Sequence, residues 1–136
     1  MADKVFKLEI VTPRKVVFSG DAMSFTAPGI IGSFQVLYNH APLLAATGVG
    51  EVRLREAQGT EIRYASSGGF VDVLNNTVVM VAETAEHSDE IDIARAEAAR
   101  ERASERMAVP NPEIDLDRAR VALARALNRI SVARRG

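Results

Sequence analysis

The chain has 136 residues, 47% apolar and 26% charged, with a formal net charge of −1 and no cysteine or tryptophan. That is enough chain for a buried core without disulfide or metal staples, and the missing cysteines exclude a disulfide framework, a thiolate zinc site and a cysteine nucleophile. Near-neutral charge argues against a nucleic-acid-binding surface, no apolar run reaches the roughly 20 residues of a membrane span, and Met1-Ala2-Asp3-Lys4 carries no signal-peptide core, so a soluble, intracellular protein is expected.

Lys4 to Ile10 alternates, with Phe6, Leu8 and Ile10 on one face and Val5, Lys7 and Glu9 on the other. That period of two predicts a half-buried strand, which Pro13 ends. Val16 to Phe18 predicts a second short strand closed by Ser19-Gly20-Asp21, and Met23, Phe25 and Ala27 alternate in a third. Pro28-Gly29 and Gly32-Ser33 bracket Ile30-Ile31 in a tight loop. Phe34 to Leu37 is the next run. Val52 and Leu54, then Ile62 and Tyr64, alternate with charged or small neighbours, and Phe70–Leu74 and Thr77–Val81 follow. Gln58-Gly59, Ser66-Ser67-Gly68-Gly69 and Asn75-Asn76 read as hairpin-type turns between them. Many short strands with regular turns predict an antiparallel sandwich or barrel over residues 1–86.

After residue 86 the chain changes character. All seven aromatics and eight of nine glycines lie before residue 71, whereas residues 87–136 hold eleven alanines and ten arginines. From Glu90 the period is helical. Ile91, Ala94 and Ala98 form one stripe, and Ala96, Ala99, Ala103 and Met107 the adjacent one. Ser88 or Asp89 can cap this helix, expected at about 90–107, and Glu97 and Glu101 can pair with Arg100, Arg102 and Arg106. Pro110-Asn111-Pro112 stops it. A second helix, about 115–133, has Leu116, Leu123, Leu127 and Ile130 as its apolar stripe. The short connection predicts an antiparallel hairpin. The class is therefore α+β: an N-terminal antiparallel β-sandwich followed by a C-terminal antiparallel two-helix hairpin, residues 87–136. An alanine seam buries little area, so the hairpin is expected to be the weaker unit and able to detach.

After Asp117 the second helix carries Arg118, Arg120, Arg125, Arg129, Arg134 and Arg135 and no acid. The plain alternative is a solvated basic face. The sharper one is an acidic partner: a carboxylate-rich protein surface, a nucleotide phosphate or an acidic membrane. For catalysis the residues offer little. His40 and His87 are the only histidines, and no His-Glu-x-x-His, Walker loop or Gly-x-Ser-x-Gly occurs. His40, in Asn39-His40-Ala41-Pro42, reads as a structural histidine bonded to backbone. No metal site and no catalytic residue is expected.

Three segments then carry a resemblance. Phe34-Gln35-Val36-Leu37-Tyr38-Asn39-His40-Ala41-Pro42-Leu43-Leu44, Ser67-Gly68-Gly69-Phe70-Val71-Asp72-Val73 with Val81-Ala82-Glu83, and Ala126-Leu127-Asn128-Arg129-Ile130-Ser131-Val132-Ala133 together resemble the epsilon subunits of the rotary F-type ATP synthases of bacteria and chloroplasts. The likeness spans nearly the whole chain. It departs locally at Tyr38-Asn39, where that family commonly has Pro-Gly or Pro-Asn.

The resemblance implies a non-catalytic subunit of the proton-translocating synthase, peripheral on the cytoplasmic face of the inner, energy-transducing membrane. Its membrane association would run only through the complex, and it would touch no nucleic acid. The sandwich would bind the gamma subunit and the ring of c subunits, with Gly29, Ile30, Ile31, Gly32, Ser33 and His40 at the ring. The hairpin would fold down to permit turnover and extend toward the alpha and beta subunits of the head to inhibit ATP hydrolysis. Arg118, Arg120, Arg125, Arg129, Arg134 and Arg135 would then meet the acidic carboxy-terminal region of beta.

Some bacterial members bind ATP through Ile/Leu-Asp-x-x-Arg-Ala, which Ile91, Asp92, Arg95 and Ala96 match. Residues matching Glu86, Arg102, Arg125 and Arg129 support that site in the family, with Arg118 nearby. No cofactor is required; ATP is the expected regulatory ligand. Arg125 and Arg129 are four apart on one helix face, and a triphosphate between them and Arg95 or Arg102 would offset their repulsion. The plain alternative is that Ile91 and Ala96 pack the hairpin and Asp92 serves the helix dipole. Two other functions stand beside this reading: a purely structural rotor subunit without a regulatory or ATP-binding role, and a small anion- or nucleotide-binding enzyme.

Overall fold

Residues 4–135 are described by the computed structural model; Met1 to Asp3 and Gly136 lie outside it. The described chain forms seven strands: β1 (Phe6–Val11), β2 (Val16–Pro28), β3 (Ser33–Val36), β4 (Leu43–Thr47), β5 (Gly50–Glu56), β6 (Glu61–Leu74) and β7 (Thr77–His87). A 3₁₀ turn at Ser88–Glu90 leads to α1 (Ile93–Ala108) and α2 (Leu116–Arg135). The sandwich followed by a helical pair is the expected architecture.

The long strands pass between the two layers. β2 pairs first with β1, then with β5 and β3; β6 pairs with β4 near one end and β5 near the other, and with β7 from Tyr64 to Leu74. β1 also pairs with β7 in parallel. Two expected breaks are absent for this reason. Ser19-Gly20-Asp21 does not close a strand, because these residues pair with Glu9, Leu8 and Lys7 of β1. Ser66–Gly69 is not a turn but the interior of β6. A register shift between Ala22 and Ser24 lets Ala22 and Phe25, three apart, both face the core. In β6 the core face likewise changes parity, from Tyr64 to Val71. Strands that cross between packed sheets need such bends. Here Gly68 takes φ +32°, and a Cβ on Gly69 would lie 1.8 Å from the Val81 carbonyl oxygen. The Asn75-Asn76 turn is as expected, with φ 51° and 58° suiting a tight hairpin.

Inside the sandwich, β1 contributes Phe6, Leu8 and Ile10, β2 Phe25, β5 Val52 and Leu54, and β7 Val78 and Met80, all buried. This core holds fifteen buried residues. A second, of Ala65, Ile91 and Val132, lies between β6 and the hairpin.

The helices depart from expectation in detail. Neither Ser88 nor Asp89 caps α1: the chain spends them in the 3₁₀ turn, whose Asp89 N–H donates to His87 Nδ1 at 3.0 Å. Asp92 is the cap, accepting from the Arg95 N–H at 3.0 Å. Asp115 likewise accepts from the Arg118 N–H at 3.1 Å. The buried seam is alanine: Ala96 and Ala103 on α1, Ala119 and Ala126 on α2 with Ile130. Leu116 and Leu127, expected in the α2 stripe, are about half exposed (47% and 48%), and Ala94 and Ala98 are exposed. Helices in close approach leave room for alanine, and the leucines turn outward. Glu97 does not pair within α1; it meets Arg134 of α2 at 2.7 Å, which makes the pair antiparallel.

Candidate functional site

The C-terminal half of α2 lies on the edge of the sandwich where β5, β6 and β7 leave it. Arg129 forms a two-pronged contact with Glu86 of β7, Nε to Oε1 at 2.8 Å and Nη2 to Oε2 at 3.2 Å. One turn earlier, Arg125 reaches Glu83 at 3.4 Å. Between them Asn128 donates to the Gly50 carbonyl at 2.9 Å, and at the end of the helix Arg135 meets Glu51 at 2.9 Å. Val132 is buried against Ala65 and Ile91 beneath this row. The basic helix therefore has acidic partners within its own chain: Glu83, Glu86 and Glu51. Forked guanidinium–carboxylate contact is the strong form of such a pair. The Arg129–Glu86 pair is about two-thirds shielded, whereas Arg125 and Glu83 are half or more exposed. Exposed pairs are worth only ~0–1 kcal/mol each, so the hairpin is held by one small apolar cluster and a few ion pairs.

The residues singled out for nucleotide binding converge only in part. Glu86 and Arg129 are in contact, and Arg125 stands one turn from Arg129 on the same face. Asp92 uses Oδ1 on the Arg95 N–H, leaving its second oxygen uncommitted. Ile91 and Ala96 are buried, so the packing role weighed for them is real. The side chains of Arg95, Arg102 and Arg118 are exposed and make no ion pair among the described residues. From the Glu97–Arg134 contact, five residues along each helix bring Arg102 level with Arg129. The α2 arginines assigned to an acidic partner spread further: Arg120 meets Asp117 at 3.5 Å, Arg134 meets α1, and Arg135 meets β5.

Gly29 to Ser33 form the turn from β2 into β3. Ile30 and Ile31 project from it, 71% and 103% exposed. Gly29 is pinned by the Gly32 N–H donating to its carbonyl at 3.1 Å, and a Cβ there would lie 2.6 Å from the Gly32 oxygen. His40 donates from Nδ1 to the Ala41 carbonyl at 2.6 Å, the backbone-bonded histidine expected. Its loop is tied to the Asn75-Asn76 turn: the Asn39 N–H donates to Asn76 Oδ1 at 2.7 Å, and Asn76 Nδ2 donates to Asn39 Oδ1 at 2.8 Å. An outward apolar row crosses four strands nearby, since Ala46 pairs with Phe70, Phe70 with Val81 and Val81 with Val11. Phe70 and Val81 are exposed.

Sequence reasoning missed the carboxylates Glu83 and Glu51 as partners of α2. The signal available was a run of acids, Glu83, Glu86, Asp89 and Glu90, at the exit of the sandwich. Among the described residues, no group of His, Cys, Asp or Glu is arranged to hold a metal ion and no helix is long and apolar enough to cross a membrane.

Comparison with known proteins matches both halves of the chain. Residues 5–88 match the family model described as ATP synthase, Delta/Epsilon chain, beta-sandwich domain, and residues 89–134 that described as ATP synthase, Delta/Epsilon chain, long alpha-helix domain. The ATP synthase epsilon chain of Syntrophomonas wolfei is 45% identical over 109 residues, 80% of each chain. That of Pelotomaculum thermopropionicum is 47% identical over 108 residues, 79% of this chain and 80% of the relative. Among solved structures, a chain of the Euglena gracilis mitochondrial ATP synthase (OSCP/F1/c-ring) has the same fold, with TM-score 0.79 at 20% identity, covering 89% of this chain and 76% of that one.

Proposed function

The chain belongs to the ATP synthase delta/epsilon chain family, as an epsilon chain, and on that premise we propose a non-catalytic rotor subunit whose hairpin regulates ATP hydrolysis. The sandwich docks gamma and the c-ring. The exposed Ile30-Ile31 tip and the braced His40 loop support the ring contact, and the apolar row through Phe70 and Val81 supports docking to gamma. The protein is then peripheral on the cytoplasmic face of the energy-transducing membrane, attached through the complex.

The observation that carries the regulatory reading is the set of contacts between α2 arginines and sandwich carboxylates. Glu83, Glu86 and Glu51 occupy in the docked state the side chains that an extended hairpin offers to an acidic surface on the beta subunits. Release exchanges one set of carboxylates for another, so the net cost is small and the switch is reversible.

ATP acts on the docked form. Arg129 is already oriented by Glu86, Arg125 is loosely held, and Arg95 and Arg102 bring unpaired guanidiniums from α1. A triphosphate joins them by charge-assisted bonds, and the second oxygen of Asp92 accepts from the adenine amino group or the ribose. At ~100 times its dissociation constant, such a ligand adds ~2.7 kcal/mol to the state it prefers. That exceeds the worth of any single ion pair holding the hairpin, so abundant ATP keeps it down.

Two experiments test the proposal. Removing residues 88–136 raises ATP hydrolysis by the assembled complex without loss of assembly; lost coupling with no gain in hydrolysis would instead identify the hairpin as a structural brace. Titrating the whole chain with ATP gives saturable binding that Arg125→Ala with Arg129→Ala abolishes. Absence of saturable binding at millimolar ATP overturns the nucleotide part alone.

A further inference from the structure

A second charged cluster lies away from the nucleotide residues, on the outer face of β5 and β6. Arg53 and Arg55 alternate with the buried Val52 and Leu54, so both point outward, about 7 Å apart at roughly 3.3 Å per residue. Across the ladder Arg53 is paired with Arg63, and Arg55 with Glu61. Like charges directly opposite on one face are unfavourable. Glu61 is the carboxylate that offsets this. It lies 2.8 Å from Arg63, 3.4 Å from Arg55 and 3.9 Å from Arg53. The hydrogen bond from Arg63 is the main cause holding the Glu61 carboxyl below its usual range.

One carboxylate for three guanidiniums leaves the cluster cationic. Glu51 also contacts Arg63, at 3.4 Å, but is shared with Arg135. Ser24 of β2 and Gln35 of β3 form the opposite wall of the same depression, about 310 Å³ in volume. Its lining is thus three forked cations, the Glu61 carboxylate that they share, a hydroxyl and an amide, with the apolar Leu54. Arg53 makes the loosest contact and keeps most of its donors available.

We propose that Arg53, Arg55 and Arg63, with Ser24 and Gln35, bind a phosphate group, carried by a small soluble phosphate or by an anionic lipid headgroup. The chemistry is the fork geometry of guanidinium for phosphate oxygens, which lysine does not provide. Glu61 holds the arginines in place until the ligand competes with it. The spacing of Arg53 and Arg55 suits a diphosphate better than a single phosphate.

Pyrophosphate is therefore the probe. Calorimetry on the whole chain gives saturable binding, and amide shifts concentrate at Ser24, Gln35 and residues 53–63. Arg53→Gln with Arg55→Gln weakens binding at least about tenfold, roughly 1.4 kcal/mol. Both side chains are exposed, so the variant keeps its fold, checked by circular dichroism. Glu61→Gln tightens binding several-fold by removing the competing carboxylate, an effect that a merely structural Glu61 would not produce. Arg125→Ala with Arg129→Ala removes any phosphate contact at the hairpin but leaves the pyrophosphate-induced amide shifts at Ser24, Gln35 and residues 53–63 intact, which separates this site from the hairpin. Sedimentation with phosphatidylglycerol vesicles, against phosphatidylcholine, distinguishes a headgroup from a soluble phosphate. Absence of saturable binding to either at millimolar phosphate, or binding indifferent to the Arg53 and Arg55 substitutions, overturns the proposal.

Discussion

The sandwich and the hairpin are stabilised by different means. The sandwich closes a fifteen-residue apolar core with strands that cross between its layers. The hairpin zips two helices along alanines and rests on the sandwich through Ile91, Val132 and a few arginine–carboxylate pairs. At ~25 cal/mol per Å² buried, large side chains dominate stability, and they are concentrated in the sandwich. The difference shows how one chain combines a fixed anchor with a movable arm: the arm is attached by contacts weak enough to exchange.

The largest effect is expected in the anchor. Leu8→Ala, at a position 1% exposed, costs about 3 kcal/mol, within the usual range for such truncations, and lowers the midpoint of global urea unfolding. An equal loss confined to the helices would reverse the assignment of strong and weak units.

Next comes Tyr64, buried beside His87 at the joint between the two units, ring centroids 5.5 Å apart. Burial, with Glu56 and Glu90 adding to it, pushes its phenol up to about 12. A raised folded value means that stability is fully present below the unfolded value of roughly 10 and is lost as the pH rises toward 12. In a Tyr38→Phe background, phenolate absorbance reports Tyr64 alone, since these are the two tyrosines. Titration near 10 would contradict its burial.

Ile91→Ala should act locally. It removes a side chain that joins hairpin to sandwich, costing about 1–2 kcal/mol of docking, less than a full core truncation. Helix amides lose protection, and the sandwich midpoint stays nearly constant. Smallest is Arg129→Ala, which leaves Glu86 unpaired at a partly shielded site and costs about 1 kcal/mol of docking. Added salt should reproduce part of that loss in the parent chain.

Much of this division can be read in the sequence, because both period and composition change near residue 86. What escaped has physical causes. β4 runs Leu43-Leu44-Ala45-Ala46-Thr47, with no polar alternation to mark a strand. Gly68-Gly69 has the composition of a turn, yet it serves a strand crossing a corner, where β7 approaches too closely for a Cβ. Hydrophobicity points to Leu116, Leu123, Leu127 and Ile130 as the α2 stripe; Ile130 is buried, but close helix approach fills the rest of the seam with Ala119 and Ala126. The carboxylates that hold α2 are 42–84 residues away in sequence, so only the fold brings them to the arginines. The motif at Ile91 to Ala96 is visible as letters, but its first duties, packing and capping, appear only in three dimensions.

Native-state hydrogen exchange of the whole chain reports directly whether the hairpin opens independently of the sandwich. The α1 and α2 amides are expected to exchange through an opening several kcal/mol cheaper than global unfolding, while β1, β6 and β7 exchange only with the global transition. Equal protection in helices and strands would contradict it, and would make hairpin and sandwich one cooperative unit.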